Sequence, residues 1–251
     1  MKIFFMKRKW LTLIAGVLIV CAIFYVVSAP AVVGTAASAR QLPIYCVDTD
    51  EKLVAISFDA AWGNEDTQTL IDILAEHDVK ATFFVVGQWV DKYPESVKAL
   101  SDAGHEVMNH SDTHPHMPQL STEQIISEIE TCNEKVRSVT GTAPTLIRLP
   151  YGDYDDKVIS AVRSIGMEPI QWDVDSLDWK ELTAPEITKR VLDGVQPGSI
   201  VLFHNAAVHT PEALGGTIEA LQADGYTFVP ISQLIIDGNY TIDHTGRQFA
   251  A

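Results

Sequence analysis

Three of the eight histidines in this 251-residue chain fall inside one short stretch, NHSDTHPHM, at His110, His114 and His116. Imidazole ligates divalent metals, carries protons near neutral pH and also fills space in a core. A spacing of four residues lets the rings of His110 and His114 face one ion when the segment is turn-like or helical. Other reactive groups close apolar runs elsewhere. Asp59 ends LVAISFD, Arg148 lies in TLIRLP, Asp173 and Asp175 end PIQWDVD ahead of Asp178-Trp179, and His204 ends SIVLFH. Carboxylate, guanidinium and imidazole are side chains that bind ions and move protons, and several of them brought together make a site.

These groups are useful only if the chain gathers them. Seven short apolar runs are predicted as strands, at 53–59, 80–86, 105–110, 145–150, 169–175, 199–204 and 227–232. Helical patterns lie between them near 65–77, 92–103, 121–139, 155–165, 184–194 and 211–223. Ser121 before Thr122-Glu123, and Thr210 before Pro211-Glu212, read as helix starts. Gly104, Gly166 and Gly225 follow helices where a left-handed cap is expected. Strands alternating with helices argue for an α/β fold with a parallel sheet, closed or nearly closed. In such a barrel, catalytic groups sit at the C-terminal strand ends. Asp59, His110, Arg148, Asp175 and His204 then share one rim.

The first 39 residues hold Lys2, Lys7, Arg8 and Lys9 and no acid. Residues 1–9 form a basic N-terminus. The uncharged run at 10–27, WLTLIAGVLIVCAIFYVV, is long enough as a helix to span a bilayer core. Its basic flank predicts a single-pass anchor with the remainder on the extracytoplasmic side of the cell membrane. The competing reading is a signal peptide cleaved near Ala39, giving a secreted protein. Residues 28–51 read as a linker leading into a domain at 52–236, and 237–251 as a frayed tail. Four of the 18 basic residues lie in the first 39, so 14 face 33 acidic ones in the rest, a net of −19. Such a surface excludes nucleic acid as a partner. Cys46 and Cys132 offer one pairing, not a disulfide framework.

The motifs SFDAAWG (57–63), HSDTH (110–114), RLPYG (148–152), DSLDW (175–179) and LFH (202–204) run in the order of the NodB-homology polysaccharide deacetylases, carbohydrate esterase family 4, which this chain resembles over about residues 52–236. The FDxxWG form of the first motif is closest to the membrane-anchored, sporulation-type branch. The resemblance implies a distorted (β/α) barrel, a cell-wall glycan as partner, and removal of N-acetyl groups from N-acetylglucosamine or N-acetylmuramic acid units. It implies a divalent metal, zinc or alternatively cobalt, manganese or nickel, on His110 and His114. Asp59 is then the general base, held ionised by Arg148, and His204 the general acid, held protonated by Asp175. Tyr151, with Pro150 before it, would offer a backbone N–H to the oxyanion, and Trp179 and Leu202 would wall the acetyl pocket. An O-acetyl esterase would use the same site.

One residue departs from the family pattern. The second aspartate of the first motif, a metal ligand, is here Ala60. Glu65, Asp66 or Asp112 is then the candidate replacement ligand; otherwise two histidines, Asp59 and water hold the metal more weakly. The opposing reading is a glycan-binding or wall-assembly protein on the same scaffold. His116 reads as a loop residue, Asp173 and Asp178 as structural, Trp62 and Trp89 as packing, and His105 and His209 as solvent-facing or satisfied.

Overall fold

The central strand, β2 (Leu53–Ala60), has the alternation that decides which of its side chains can react. Ile56, Phe58 and Ala60 face a layer of helices, where Phe58 stacks on Phe83 at 4.7 Å and on Phe203 at 5.7 Å between ring centroids. Ala55 faces the other way, into an inner cluster with Phe84, Ile170 and Ile200, and Asp59 follows on that face. Asp59 thus ends the strand pointing into the barrel. The computed structural model describes Trp10 and residues 40–251. The expected anchor over 10–27 and the cleavage site near Ala39 lie outside the described residues, apart from Trp10. Among the described residues no helix is long and apolar enough to cross a membrane.

Strands β3 (Thr82–Val85), β4 (Glu106–Asn109), β5 (Leu146–Arg148) and β6 (Glu168–Ile170) follow β2 in parallel order on one side. On the other side lies β8 (Ser199–His204), in parallel register with Asp59 opposite His204, and β9 (Thr227–Phe228) pairs with the start of β2. Helices α1 (Thr67–Glu76), α2 (Gly87–Lys92), α3 (Pro94–Asp102), α4 (Thr122–Thr140), α5 (Asp156–Ser164), α6 (Ala184–Gly194) and α7 (Thr210–Ala223) connect the strands. Their termini follow local chemistry. Ser121 and Gln124 form a reciprocal capping box at the start of α4, and Gly141 ends it at φ 79°. This is the α/β barrel expected from the sequence, with α2 an element the periodicity did not reveal.

Three expectations are corrected. The run at 169–175 is two strands: β6 pairs with β5, and β7 (Val174–Asp175) turns away to pair with β8. The segment before residue 52 is part of the domain. Ile44 bridges to Ile170 of β6 and β1 (Cys46–Val47) pairs with Ser199 of β8, so the incoming chain nearly closes the barrel. Finally, 237–251 is not frayed: β10 (Tyr240–Ile242) and β11 (Arg247–Ala250) form a hairpin whose second strand pairs with β1. Cys46 and Cys132 are both buried and free.

Candidate active site

Asp59 and Arg148 form the floor of the cleft at the strand ends. The guanidinium donates from Nη1 to Asp59 Oδ1 at 2.9 Å and from Nη2 to the Gln171 carbonyl at 3.1 Å. It is 0% exposed and lies over the Phe84 ring at 4.3 Å. Burial alone would raise the Asp59 carboxyl, but His110, Arg148 and His204 outweigh it and hold it below the usual carboxylate range. Asp59 is therefore ionised at neutral pH, the form that takes a proton.

His110 follows β4, and its Nδ1 lies 2.7 Å from the Arg148 carbonyl. A carbonyl accepts only, so Nδ1 carries the proton and Nε2 presents its lone pair, 3.5 Å from Asp59 Oδ2. His114 stands beside it, ring centroids 4.9 Å apart, at φ 60°. Burial first, then the neighbouring His110, pushes His114 down to about 4. Burial likewise lowers His110, so both rings are neutral donors at pH 7. The loop that carries them is clamped from α4. Glu128 accepts from the backbone N–H groups of Asp112 and Thr113 and from the Thr113 hydroxyl, and Lys135 pairs with Asp112 at 2.6 Å.

The partner of His204 is Asp178, not Asp175. Asp178 Oδ1 lies 2.8 Å from His204 Nδ1, and its Oδ2 accepts from the His204 backbone N–H at 2.8 Å and from the Thr210 hydroxyl at 2.6 Å. Asp175 instead accepts from the Leu177 N–H at 2.9 Å, within its own turn. Leu177 is left-handed (φ 55°), which folds the next residue back over β8. Burial lowers the His204 imidazole, but the Asp178 hydrogen bond and the charges of Asp59, Asp178 and Asp175 outweigh it and leave it raised.

The walls are aromatic. Trp62, Tyr151 and Trp179 are 66%, 59% and 56% exposed around a cleft of about 480 Å³. Leu202 lines it as expected, and Trp172 and Asn205 join it without having been foreseen. Trp62 is rim rather than packing: its ring meets His114 edge-on at 5.7 Å, whereas Trp89 is buried with Nε1 on the Gly63 carbonyl. Asn205 fixes that rim. Its side chain accepts from the Ala61 N–H and donates to the carbonyls of Trp62 and Gly63. His116 is not incidental either, since it stacks on Tyr151 at 4.2 Å and holds Asp153 at 3.0 Å. Pro150 is buried and opens the short turn in which Tyr151 takes φ 60°. His105 accepts from the Ala81 N–H, and His209 lies 3.6 Å from Glu212; neither lines the cleft.

The implied metal fits these residues in part. Two neutral imidazoles are the right donors, and His114 Nδ1 is buried without a protein partner. The replacement carboxylates are not there. Glu65 is exposed and accepts from the Asn64 N–H, Asp66 accepts from the Ala206 N–H, and Asp112 is held by Lys135. None of the three lines the cleft, although Asp66 keeps its Oδ1 buried and unpartnered. Ala60 is buried in the helix-facing cluster. Among the described residues, no three His, Cys, Asp or Glu side chains are gathered to hold an ion.

Comparison with known proteins matches residues 47–170 to the polysaccharide deacetylase family. The chain is 39% identical over 183 residues to the peptidoglycan-N-acetylglucosamine deacetylase PgdA of Listeria monocytogenes, covering 73% of this chain and 39% of that one. It therefore spans about two fifths of that relative's length. It is 32% identical to the peptidoglycan-N-acetylmuramic acid deacetylase PdaA of Bacillus subtilis, over 77% of this chain and 75% of that one. A solved structure of a pseudoenzyme of carbohydrate esterase family 4 from Bacillus anthracis superposes with a TM-score of 0.74 at 36% identity, covering 76% of this chain and 68% of that one. A mutant of that pseudoenzyme is described as having restored enzymatic activity.

Proposed function

Because the chain belongs to the polysaccharide deacetylase family, we propose that it hydrolyses the N-acetyl groups of amino sugars in cell-wall glycan. One observation carries the reading: Asp59 and His204 stand opposite each other on adjacent strands, each with a buried partner of opposite charge, Arg148 and Asp178. Asp59 takes a proton from water as the oxygen adds to the acetyl carbonyl. His204 gives a proton to the nitrogen as the C–N bond breaks, releasing acetate and leaving a free amine on the sugar. Arg148 keeps Asp59 ionised and in place, and Asp178, bound to the Nδ1 proton, keeps the imidazole doubly protonated so that Nε2 has a proton to give. Trp62, Tyr151 and Trp179 hold the sugar by its apolar face, and Leu202 packs on the acetyl methyl. A divalent metal such as zinc, held by His110 and His114, would supply polarisation of the carbonyl and acidification of water. The basic N-terminus and the run at 10–27 support a single-pass anchor with the domain on the extracytoplasmic side; the first motif supports the sporulation-type branch.

Ala60 favours a second reading, a domain that binds glycan without cleaving it, as the likeness to the Bacillus anthracis pseudoenzyme also does. One experiment separates the two. Acetate release from N-acetylglucosamine oligomers and peptidoglycan fragments is measured with added Zn²⁺ or Co²⁺, beside the isosteric Asp59→Asn protein. Metal-dependent release that Asp59→Asn abolishes supports the hydrolase. Binding of the same oligomers with no release supports the second reading.

A further inference from the structure

The two sugars of peptidoglycan differ at one place. N-acetylmuramic acid carries a lactyl ether on the carbon next to the one bearing the acetamido group. Its carboxylate is ionised at neutral pH. An acetamido group seated between Asp59 and His204 therefore brings that carboxylate into the same cleft. Among the described residues, none that lines the cleft is Lys or Arg, and two, Asp59 and Asp175, are carboxylates. Arg148 sits beneath, fully buried and engaged by Asp59 and the Gln171 carbonyl. The positive charge of His204 is already matched by Asp178. Lys180 does stand at the rim, but with its Nζ 4.8 Å from the centroid of the Trp179 ring. A lactyl carboxylate entering here leaves water for a lining whose one charge without a counter-ion among the described residues is Asp175, with Lys180 only at the exposed rim. A neutral pyranose brings no charge against it.

We infer that the cleft selects N-acetylglucosamine units over N-acetylmuramic acid units, through the one lining charge that has no counter-ion, the Asp175 carboxylate. This rests on the reading of the site as an amino-sugar site. It sets the chain with one of the two specificities named among its relatives, those of PgdA and PdaA.

Three probes test it on the full chain without added metal: N-acetylchitotetraose, the peptide-free tetrasaccharide of alternating N-acetylglucosamine and N-acetylmuramic acid, and the methyl ester of the latter, which keeps the bulk and removes the charge. Binding is read by quenching of tryptophan fluorescence. The chitotetraose is expected to bind at least ~10-fold more tightly than the acidic tetrasaccharide, with the ester closing most of the gap and Asp175→Asn narrowing it. Lys180→Gln leaves the order unchanged. Equal binding, tighter binding of the acidic sugar, an ester no better than the acid, or binding of the acid that depends on Lys180 would each overturn the inference. Acetate release is followed with metal on the same probes. Selective binding without release overturns the hydrolase and leaves the selectivity standing. Release with the opposite preference does the reverse, and no binding of any probe overturns both.

Discussion

Replacing Asp178 by Asn tests the assignment of His204's partner. The carboxylate is fully buried and meets Nδ1 of the imidazole at 2.8 Å, while the imidazole is 29% exposed. A hydrogen bond to a charged group of this kind contributes about 1.5–3 kcal/mol. At about 1.4 kcal/mol per pH unit, its loss lowers the His204 titration by roughly 1–2 units. The isosteric amide also places an N–H donor where an acceptor stood, which favours the unprotonated Nδ1. The sign follows from the raised value in the native chain: His204 stays protonated to higher pH than a free imidazole, so a step that needs it as an acid is present below that value and lost above it. Asp178→Asn moves the loss to lower pH. Asp175→Asn moves it less, because Asp175 acts only through space and its Oδ1 is tied to the Leu177 N–H. The ring resonances of His204, identified by their absence in His204→Gln, are followed by NMR against pH in all three proteins, with the pH dependence of acetate release alongside. A titration that Asp178→Asn leaves unmoved, or that Asp175→Asn moves further, refutes the assignment.

Arg148→Met leaves the Asp59 carboxylate buried without its guanidinium, a loss of ~3–5 kcal/mol at neutral pH in urea unfolding. The deficit is expected to shrink as the pH falls from 7 towards acid, because burial without the guanidinium raises the Asp59 carboxyl of the variant and it takes up a proton; an equal deficit at neutral and acid pH counts against the pair. Ala60→Asp supplies the absent carboxylate and tightens zinc binding roughly 10-fold or more by calorimetry; the metal-free protein is less stable by ~1–3 kcal/mol, because position 60 is buried. Unchanged zinc affinity would mean that position 60 cannot reach the ion. Gly198→Ala tests the closure of the barrel. Gly198 is at φ +83°, and a Cβ there would lie 1.9 Å from the Val47 carbonyl oxygen. The expected cost is at least ~2 kcal/mol, or ~5 °C in thermal unfolding, and a loss under 1 °C would refute it.

The rim was legible in the sequence because strands are. Asp59, His110, Arg148 and His204 each end or closely follow an apolar run, and parallel strands carry their C-terminal ends to one side whatever the loops do. What the loops do was not legible. Asp178 reaches His204 because Leu177 turns left-handed, and nothing in the letters DSLDW separates that from a turn that would present Asp175. Trp62 sits in an aperiodic turn whose position depends on Asn205, 143 residues away. The C-terminal hairpin is fixed by its pairing with β1 and by Gln248, whose side chain accepts from the Ile236 N–H and donates to the Ile236 carbonyl. Polar letters at a chain end read as frayed until that distant edge is known.

The alternation of β2 separates two parts of the site. Asp59 lies on the inner face with Arg148. A buried ion pair is often matched or bettered in stability by apolar side chains, and here the guanidinium Nε is buried with no partner at all. In the function proposed above, its place at the strand ends beside His110 and His204 serves proton transfer. Ala60 lies on the opposite face, packed with Phe58 and Val85, and the family pattern has its second aspartate at this position. On the proposed mechanism, the exchange at position 60 takes away a carboxylate without disturbing Asp59, His204 or their partners. Zinc affinity, rather than the integrity of Asp59 and His204, is then the quantity that decides between a hydrolase and a glycan-binding domain.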